Sequence, residues 1–427
     1  MKTPVLDLAV VGGGLAGLAA ARRAQELGLS VEVFEASDGI GGRVRSDEIE
    51  GYICDRGFQL INPAYPALAR YYKAENFHRL ERSIDVVMGA RSYRLGDPRQ
   101  GLATMPGNLS SATGTIGEKL RFLNYLRRLN RRSERDGEGG ALDPSFEDEM
   151  HREGIGSFHS KVIAPFASGV FLNLPSKVSA RIAQDLIRYF LIGSPGLPHG
   201  GVGAVAGAIS TGVAVNLHSP VDEIGEDFIR IGRRRVKVRS VIVATDPYSA
   251  KTLINPDEKR NQSLSYSLAS KMSGSTTWYH SADDQDFPAI LRIDGSGGGP
   301  VTNTIAISRL APEYAPEGKT LISTTVMSAY GLEIAEARVR RHLAQLWHRD
   351  TSRWRLIAKY SIPKSLPLMT PGYECEEVID FTPTAKRSKN SKSPMLRYLA
   401  GDFLALPAQQ GAVQSGIRAA ELLASRL

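Results

Sequence analysis

The hydrophobic pattern near the start of the chain predicts a strand, a turn, a helix and a second strand. An apolar, β-branched run over residues 5–11 is typical of a buried parallel strand. Three glycines follow this run, and the apolar positions of residues 15–27 then recur at helical spacing until Gly28, a typical helix C-cap. The run 31–34 completes the pattern of a βαβ unit.

The glycines between the first strand and the helix have the spacing of a dinucleotide-binding turn. Gly12, Gly14 and Gly17 match the pattern G-x-G-x-x-G. The first glycine permits a tight turn, the second lets the backbone approach a pyrophosphate, and the third lets the helix pack closely on the strand. The helix begins at Leu15 and Ala16, whose end of the helix would direct free N–H groups and a positive dipole toward that pyrophosphate.

An acidic residue and a second glycine pair follow this unit. Glu35 comes directly after the second strand, close to the position about 20 residues downstream where an acid bonds the ribose hydroxyls of adenosine, and Ala36 comes next. A carboxylate there disfavours NADP, while NAD and FAD both remain open. Gly41-Gly42-Arg43 follows, and an arginine fork can pair with two phosphate oxygens.

With this Gly-Gly-Arg segment the chain resembles the flavin-containing amine oxidase superfamily, which includes amine oxidases, protoporphyrinogen oxidases and phytoene desaturases. Four later stretches extend the resemblance: Asp55-Arg56-Gly57-Phe58-Gln59; residues 200–203 with 219–224; residues 239–245; and residues 399–402 with 410–416. The five segments stand in the family's order. The resemblance therefore implies FAD rather than NAD, and the chain lies closest in pattern to the desaturase and protoporphyrinogen oxidase branch.

The resemblance also assigns cofactor contacts in the later segments. In the family, the segment 57–59 lies against the flavin ring, and the carboxylate of residue 402 accepts a hydrogen bond from a ribityl hydroxyl. A helix over 412–425 would begin beneath the isoalloxazine and stabilise the negative charge of reduced flavin. The further residues implied to contact FAD are Gly57, Phe58, Gln59, Val221, Ala244, Thr245, Gly401, Asp402, Gly411, Ala412 and Val413.

The order of the segments predicts an interleaved α/β architecture. We expect a Rossmann-type FAD-binding domain built from the discontinuous segments 1–70, 200–260 and 380–427. An inserted α+β substrate domain would comprise residues 71–199 and 261–379. The polar segments 131–140 and 385–393 are expected to be loops.

The residues of the amine-oxidising pattern are missing from the sequence. Amine oxidases of this family place a lysine near flavin N5 and aromatic side chains around the amine. Matching the apolar run 276–279 puts Gly274 or Ser275 at the lysine position, and Ala408 stands where one caging tyrosine is expected. The Cys-Tyr pair of covalently flavinylated members is missing too, so we expect FAD to be non-covalent.

The favoured function is removal of hydride from a hydrophobic substrate, by desaturation or dehydrogenation of an isoprenoid, a carotenoid or a tetrapyrrole. Such chemistry needs few titratable groups, because FAD takes the hydride and the protein supplies shape. We assign no catalytic side chain, since the histidines are scattered along the chain. Two alternatives stay open: a flavin amine oxidase that produces hydrogen peroxide, and a non-catalytic, FAD-containing binding or membrane-associated protein.

Composition adds constraints on partners and location. The chain has 427 residues, 42% of them hydrophobic, with a net charge of +8 and two cysteines, so neither a disulfide framework nor a metal site is expected. No signal peptide or membrane span is visible, which favours the cytoplasm. In residues 119–135, leucines at near-helical spacing alternate with arginines. This segment predicts a solvated helix of the substrate domain or a peripheral contact with an anionic membrane; no motif supports nucleic-acid binding.

Overall fold

The computed structural model describes residues 5–97, 102–131, 143–254, 262–283, 286–331, 333–383 and 394–427. The predicted loops at 131–140 and 385–393 lie outside these residues, apart from Arg131. Two large sheets, one with six strands and one with seven, organise the described chain, which confirms a mixed α/β fold.

The strands, numbered in chain order, are β1 (Leu8–Val11), β2 (Val31–Phe34), β3 (Ser46–Ile49), β4 (Tyr52–Asp55), β5 (Phe77–Arg79), β6 (Ser83–Met88), β7 (Arg91–Gly96), β8 (Gly196–Pro198), β9 (Ala214–Asn216), β10 (Glu223–Ile224), β11 (Phe228–Ile231), β12 (Arg234–Lys237), β13 (Ser240–Val243), β14 (Met272–Ala282), β15 (Leu291–Asp294), β16 (Val301–Ala306), β17 (Thr320–Met327), β18 (Arg355–Pro367), β19 (Val378–Asp380) and β20 (Leu396–Ala400). The α-helices are α1 (Leu15–Glu26), α2 (Pro66–Ala69), α3 (Met105–Leu109), α4 (Ile116–Arg131), α5 (Phe146–Arg152), α6 (Ala164–Phe171), α7 (Ala180–Ile192), α8 (Gly203–Ile209), α9 (Pro247–Leu253), α10 (Gln262–Leu268), α11 (Ile307–Leu310), α12 (Glu336–Trp347) and α13 (Gln409–Ala424).

The six-stranded sheet has the order β19-β20-β13-β1-β2-β9. Its strands pair in parallel except at β19, which is antiparallel to β20. All four residues of β1 and of β13 are buried, because helices and loops cover both faces of the sheet. Parallel strands of this kind produce the continuous apolar runs seen in the sequence.

Helices α1 and α13 pack against each other on this sheet through backbone contact. A Cβ atom at Gly416 of α13 would overlap the carbonyl oxygen of Ala16 in α1. Around this contact, small residues such as Ala20 and Ala420 are fully buried in one shared apolar cluster. The close approach brings the first turns of the two helices side by side.

The seven-stranded sheet has the order β18-β14-β17-β16-β15-β6-β7 and is antiparallel except between β15 and β6. Helix α12 covers one face of this sheet through an apolar cluster that includes Trp278, Trp347 and Trp354. A second cluster on the other face includes Tyr279, Ile305 and parts of β4. This sheet therefore lies between α12 and the segments that follow the first βαβ unit.

The two sheets draw their strands from different stretches of the chain. Five strands of the six-stranded sheet lie within 1–70, 200–260 and 380–427, and β19 begins just before the last of these. All strands of the seven-stranded sheet lie within 71–199 and 261–379. No helix in the described part of the chain is long and apolar enough to cross a membrane.

The helix contact at Gly416 predicts opposite effects of the same substitution at two helical glycines. Gly416→Ala should destabilise the protein by about 1–3 kcal/mol, because the new methyl group meets rigid backbone. Gly207→Ala is the matched control: a Cβ at this exposed position in α8 would meet nothing within 4 Å. That change should stabilise the protein by roughly 0.4–1 kcal/mol. Denaturant unfolding of both variants measures the difference, and an unchanged midpoint for Gly416→Ala would contradict the packing described here.

Candidate functional site

The residues predicted to contact a cofactor meet at one edge of the six-stranded sheet. Gly12, Glu35, Ala244 and Gly401 are each the first residue after a parallel strand, namely β1, β2, β13 and β20. Because the carboxyl ends of parallel strands share one edge, these four residues form a row at the usual ligand-binding edge of an open α/β sheet.

The glycine turn after β1 has the backbone conformation and the close contacts that its sequence predicts. Gly12 has φ +107°, and a Cβ there would lie 2.8 Å from the carbonyl oxygen of Ala244 and 3.2 Å from Cγ2 of Thr245. A Cβ at Gly17 would overlap the carbonyl oxygen of Gly12. At Gly14, by contrast, a Cβ would meet nothing within 4 Å, so the backbone of this residue faces open space.

Glu35 holds the glycine turn from the end of β2. Its Oε2 accepts a hydrogen bond from the backbone N–H of Gly13 at 2.6 Å, and its Oε1 accepts one from that of Ser37 at 2.8 Å. The carboxylate is therefore fixed beside the turn. Each oxygen keeps a second lone pair for another donor, and Ala36 is exposed next to it.

The second glycine pair lies directly against the first. The backbone N–H of Gly41 donates to the carbonyl of Gly13 at 2.8 Å, and a Cβ at Gly42 would come within 3.2 Å of the Cα of Gly14. Gly41 and Gly42 have φ values of +100° and +59°. The two loops form one continuous wall, with Gly42 exposed on it.

Arg43 and Asp402 form an ion pair that the sequence did not reveal. The Nη2 of Arg43 lies 2.6 Å from Oδ1 of Asp402, and its Nη1 donates to the carbonyl of Ser365 in β18 at 3.0 Å. Asp402 is buried, while the arginine side chain is 35% exposed. The pair joins the Gly-Gly-Arg loop to the end of β20 and to the seven-stranded sheet.

Asp55 is a buried carboxyl group at the junction of several segments. Its Oδ1 accepts hydrogen bonds from Oγ of Ser46 at 2.6 Å and from the backbone N–H of Val202 at 3.0 Å, and its Oδ2 accepts one from the hydroxyl of Tyr314 at 3.3 Å. The hydroxyl of Tyr279 donates to the backbone carbonyl of Asp55 at 3.0 Å. Burial raises the pKa of Asp55 to about 6, although the hydrogen bonds from Ser46, Val202 and Tyr314 stabilise its charged form.

The segment after Asp55 connects the seven-stranded sheet to the Gly-Gly-Arg loop. Gly57 is buried with φ +99°. The backbone N–H of Phe58 donates to Oγ1 of Thr277 in β14 at 3.3 Å, and Nε2 of Gln59 donates to the carbonyl of Arg43 at 2.8 Å. The segment predicted to lie against the flavin ring therefore faces β14 on one side and Arg43 on the other.

Helix α13 begins at Gln409, three residues earlier than the sequence pattern suggested. Its N-cap residue, Ala408, provides no side-chain cap, and the first turn contains no acidic residue. The Nε2 of Gln409 donates to Oε1 of Gln59 at 3.1 Å, which directs the start of the helix toward the segment 57–59. A Cβ at Gly411 would overlap the carbonyl oxygen of Leu406, so the turn before the helix is tightly packed.

The remaining predicted residues lie in the packing around this edge. Leu15 and Val413 share one apolar cluster, and Ala412 packs against the cluster that contains Ala16. Val221 is 9% exposed and packs with residues of β1 and β2. These contacts place the first turns of α1 and α13 next to each other at the cofactor edge.

The position expected for an amine-oxidase lysine lies at an irregularity of β14. The pairing with β18 shifts register between Ser273 and Ser275. A Cβ at Gly274 would lie 2.9 Å from the carbonyl oxygen of Pro363, and Oγ of Ser275 hydrogen-bonds Oγ of Ser365 at 2.8 Å. Neither residue supplies an amine.

Both cysteines are free, Cys54 buried and Cys375 exposed. Across the described ranges, no group of three or more histidine, cysteine or acidic side chains could hold a metal ion.

Comparisons with known proteins agree with this geometry. The family model described as flavin containing amine oxidoreductase matches residues 15–424. Lysine-specific histone demethylase 1B of Mus musculus is 52% identical over 54 residues, or 12% of this chain and 6% of the relative. Protoporphyrinogen oxidase 2 of Arabidopsis thaliana is 46% identical over 59 residues, or 14% of this chain and 12% of the relative. The matched stretches thus span only a small part of either relative.

The fold as a whole is shared with solved amine oxidases. Cyclohexylamine oxidase from Brevibacterium oxydans superposes with a TM-score of 0.73 over 99% of both chains, at 15% sequence identity. At that identity the likeness establishes the fold alone. Together with the family match over nearly the whole length, it shows that this chain belongs to the flavin-containing amine oxidoreductases.

Proposed function

We propose that the chain holds FAD non-covalently and removes hydride from a hydrophobic substrate such as an isoprenoid, a carotenoid or a tetrapyrrole. When bound, FAD would supply the two-electron acceptor. The chain's own residues would bind and orient the substrate. We assign the cofactor contacts to the edge formed by the ends of β1, β2, β13 and β20.

The residues at this edge fit the charge and shape of FAD. Gly14 leaves space for a pyrophosphate, at the start of a helix that has no side-chain cap. Glu35 keeps acceptor capacity for ribose hydroxyls beside the turn. At the far end of the site, the uncapped first turn of α13 would stabilise negative charge on a reduced isoalloxazine.

The environment expected in front of the flavin carries the substrate assignment. Gly274 or Ser275 stands at the lysine position of the amine-oxidising pattern, and Ala408 stands at the tyrosine position. The hydroxyl of Ser275 contacts Ser365 within the sheet. Ala408 packs against the apolar cluster that contains Phe171 and Met369. Such surroundings favour a hydrocarbon substrate over an ammonium ion, which loses its hydration on burial.

Amine oxidation with hydrogen peroxide as a product is the second candidate. The relatives and solved structures include amine oxidases, which favours this reaction, whereas the protoporphyrinogen oxidase relative favours a tetrapyrrole. A non-catalytic role for bound FAD is weaker, because the uncapped start of α13 would stabilise the reduced form of a bound flavin.

We also propose that α4 contacts an anionic membrane and thereby gives the enzyme access to a lipid-soluble substrate. Ile116, Leu120 and Leu123 lie on one face of α4 and are 54%, 56% and 46% exposed. Arg127 and Arg131 continue that face by helical spacing. The opposite face is buried through residues that include Tyr125 and Leu129. Exposed apolar side chains next to arginines are the chemistry that anionic lipid interfaces bind.

Loss of the acidic side chain after β2 should weaken FAD binding. Glu35→Ala should reduce affinity by about 1–3 kcal/mol, because a charged acceptor for the ribose is removed and the turn at Gly13 loses a contact. Glu32→Ala is the control: Glu32 lies on β2, three residues before Glu35, but contacts Asn216. Titration of FAD into the apo-protein measures both variants, and equal affinities would place the ribose elsewhere.

Acid precipitation of the wild type should release FAD, whereas flavin retained on the chain would refute non-covalent binding.

Candidate substrates should separate the two proposed reactions. Primary, secondary and polyamines should leave the oxidised flavin unreduced in anaerobic stopped-flow mixing, since the described site shows no amine-oxidase lysine or tyrosine. A hydrophobic unsaturated substrate supplied in detergent or vesicles should reduce the flavin. Rapid bleaching by a simple amine, with hydrogen peroxide formed when air is readmitted, would reverse this assignment.

Membrane contact through α4 should depend both on the exposed leucines and on the arginines of its exposed face. The double variant Leu120→Ser, Leu123→Ser should no longer co-sediment with vesicles of phosphatidylglycerol and phosphatidylcholine. Arg127→Gln with Arg131→Gln should weaken binding by about 2 kcal/mol, roughly 30-fold, and reduce its salt dependence. Leu217→Ser, at a 38% exposed leucine near the other sheet, is the control and should bind normally. Full binding by the leucine double variant would locate the contact elsewhere. Arg132, also part of the predicted basic helix, lies outside the described residues.

A further inference from the structure

Three neighbouring strands of the seven-stranded sheet present a row of polar side chains on one face. In the pairing register, Thr277 of β14 is opposite Thr325 of β17, and Thr325 is opposite Asn303 of β16. Residues directly opposite each other project from the same face, so the row runs across the strands and spans about 10 Å. We call the face that carries this row the front face.

The front face is directed toward the segment predicted to lie against the flavin. Oγ1 of Thr277 accepts a hydrogen bond from the backbone N–H of Phe58 at 3.3 Å. Tyr279, two residues further along β14 and therefore on the same face, donates to the carbonyl of Asp55 at 3.0 Å. The row thus begins beside residues 55–59 and extends away from them across the sheet.

Two members of the row are buried without partners. Asn303 is 5% exposed and Thr325 is 4% exposed, and within the described ranges neither Oδ1 of Asn303 nor Oγ1 of Thr325 has a hydrogen-bond partner. An unpaired buried polar atom is unfavourable in a folded protein unless something else pairs with it. Two such atoms on adjacent strands therefore indicate a place that a ligand or an ordered water occupies.

The opposite face of the same strands carries two threonines whose hydroxyls are hydrogen-bonded. Thr304 and Thr324 are fully buried there, and their hydroxyl oxygens lie 3.2 Å apart. Oγ1 of Thr304 donates to the carbonyl of Ser323 at 2.9 Å and accepts a hydrogen bond from Nε1 of Trp347 at 3.2 Å. Among the described residues, buried hydroxyls without a partner also occur at Thr302 and Thr320. Asn303 and Thr325 differ from these because their unpaired atoms belong to residues directly opposite each other on adjacent strands.

Helix α6 fixes the position of Asn303 and supplies an apolar wall. A Cβ at Gly169 would lie 2.5 Å from Nδ2 of Asn303, so the amide rests on a residue without a side chain. Phe166 and Val170, on the same helix, are only partly buried, and Phe166 makes an edge contact with Phe190 at 6.0 Å between ring centroids. The unpaired polar atoms therefore lie beside hydrocarbon surface.

No charged side chain lies on the front face of these three strands within the described residues. By alternation and register, that face carries Ser273, Ser275, Thr277, Tyr279 and Ser281 of β14, Leu321, Ser323, Thr325 and Met327 of β17, and Asn303 and Ile305 of β16. A charged group brought to this face would lose its hydration without an opposite charge to compensate. The face therefore suits a neutral polar group.

We infer that Asn303 and Thr325 bind a hydroxyl group on an otherwise apolar substrate. A hydroxyl donates one hydrogen bond and accepts others, so it can donate to Oδ1 of Asn303 and accept from the hydroxyl of Thr325. The inference rests on the proposed function, because it takes the front face as part of the substrate site. It specifies the substrate class further: a hydrophobic molecule with one uncharged hydroxyl.

The test compares head groups on one hydrocarbon chain. Octan-1-ol, octane, octylammonium and octanoate are titrated into the oxidised holoenzyme, and binding is followed by the change in visible flavin absorption. The wild type should bind octan-1-ol at least tenfold more tightly than the other three. Asn303→Leu and Thr325→Val should each remove most of the preference for octan-1-ol over octane. Equal binding of octan-1-ol and octane by the wild type would overturn the inference.

Thermal unfolding of the same variants distinguishes a binding role from a structural one. Thr325→Val removes an unpaired hydroxyl, so its melting temperature should stay equal to or exceed that of the wild type. Thr324→Val is the matched control on the opposite face: it removes a paired hydroxyl, so it should lower the melting temperature and keep the preference for octan-1-ol. A preference that survives in both front-face variants, or is lost equally in Thr324→Val, would refute the inference. Because binding is read on the oxidised flavin, these outcomes are independent of whether any substrate reduces it.

Discussion

Helix α1 lies in direct backbone contact with other parts of the chain, and the remaining structure depends on that contact. The turn at Gly12 reaches α1 at Gly17, and α13 reaches it where Gly416 meets the carbonyl of Ala16. A side chain at Gly17 or at Gly416 would separate the backbones. Because these contacts have no flexible side chains to adjust, the ends of β1 and β20 and the first turns of both helices have little freedom relative to one another.

The buried carboxyl group of Asp55 provides a second, electrostatic link. It connects β4 to the start of α8 through the backbone N–H of Val202. The backbone carbonyl of Asp55 accepts a hydrogen bond from Tyr279 in the seven-stranded sheet. Burial disfavours its charge, as the raised pKa of about 6 shows. Its partners reduce this cost by directing three donors at the two oxygens. The same interaction therefore positions residues 57–59 relative to both sheets.

Local features of the site could be predicted from the sequence, and long-range pairings could not. The glycine turn, α1, β2 and Glu35 form a continuous unit whose spacing carries its own geometry. Arg43 and Asp402 were each predicted to contact FAD, but their ion pair joins residues that are 359 positions apart. No local pattern marks such a pair, because it arises only when β20 takes its place in the sheet.

Asn303 shows a further limit of sequence reasoning. A single asparagine in a strand does not reveal its role from the sequence alone. The role of Asn303 depends on the pairing register with Thr325 and on the absence of a side chain at Gly169. The start of α13 was also misplaced by three residues, because Gln409 and Gln410 form helix although the sequence pattern identified only the residues after Gly411. Helix boundaries depend on tertiary contacts of this kind.

The interleaving of the six-stranded sheet has a consequence for the order of events during protein synthesis. Strands β1 and β2 leave the ribosome early. Strand β13, which pairs with β1, is made about 200 residues later, and β20, which pairs with β13, and helix α13 come later still. The seven-stranded sheet draws on two of the intervening stretches and is complete before β20 is made. The apolar surface of α1 beside the glycine turn therefore stays uncovered by α13 until residues near 424 have been translated. Capture of a cofactor at this edge would accordingly be one of the last steps in maturation.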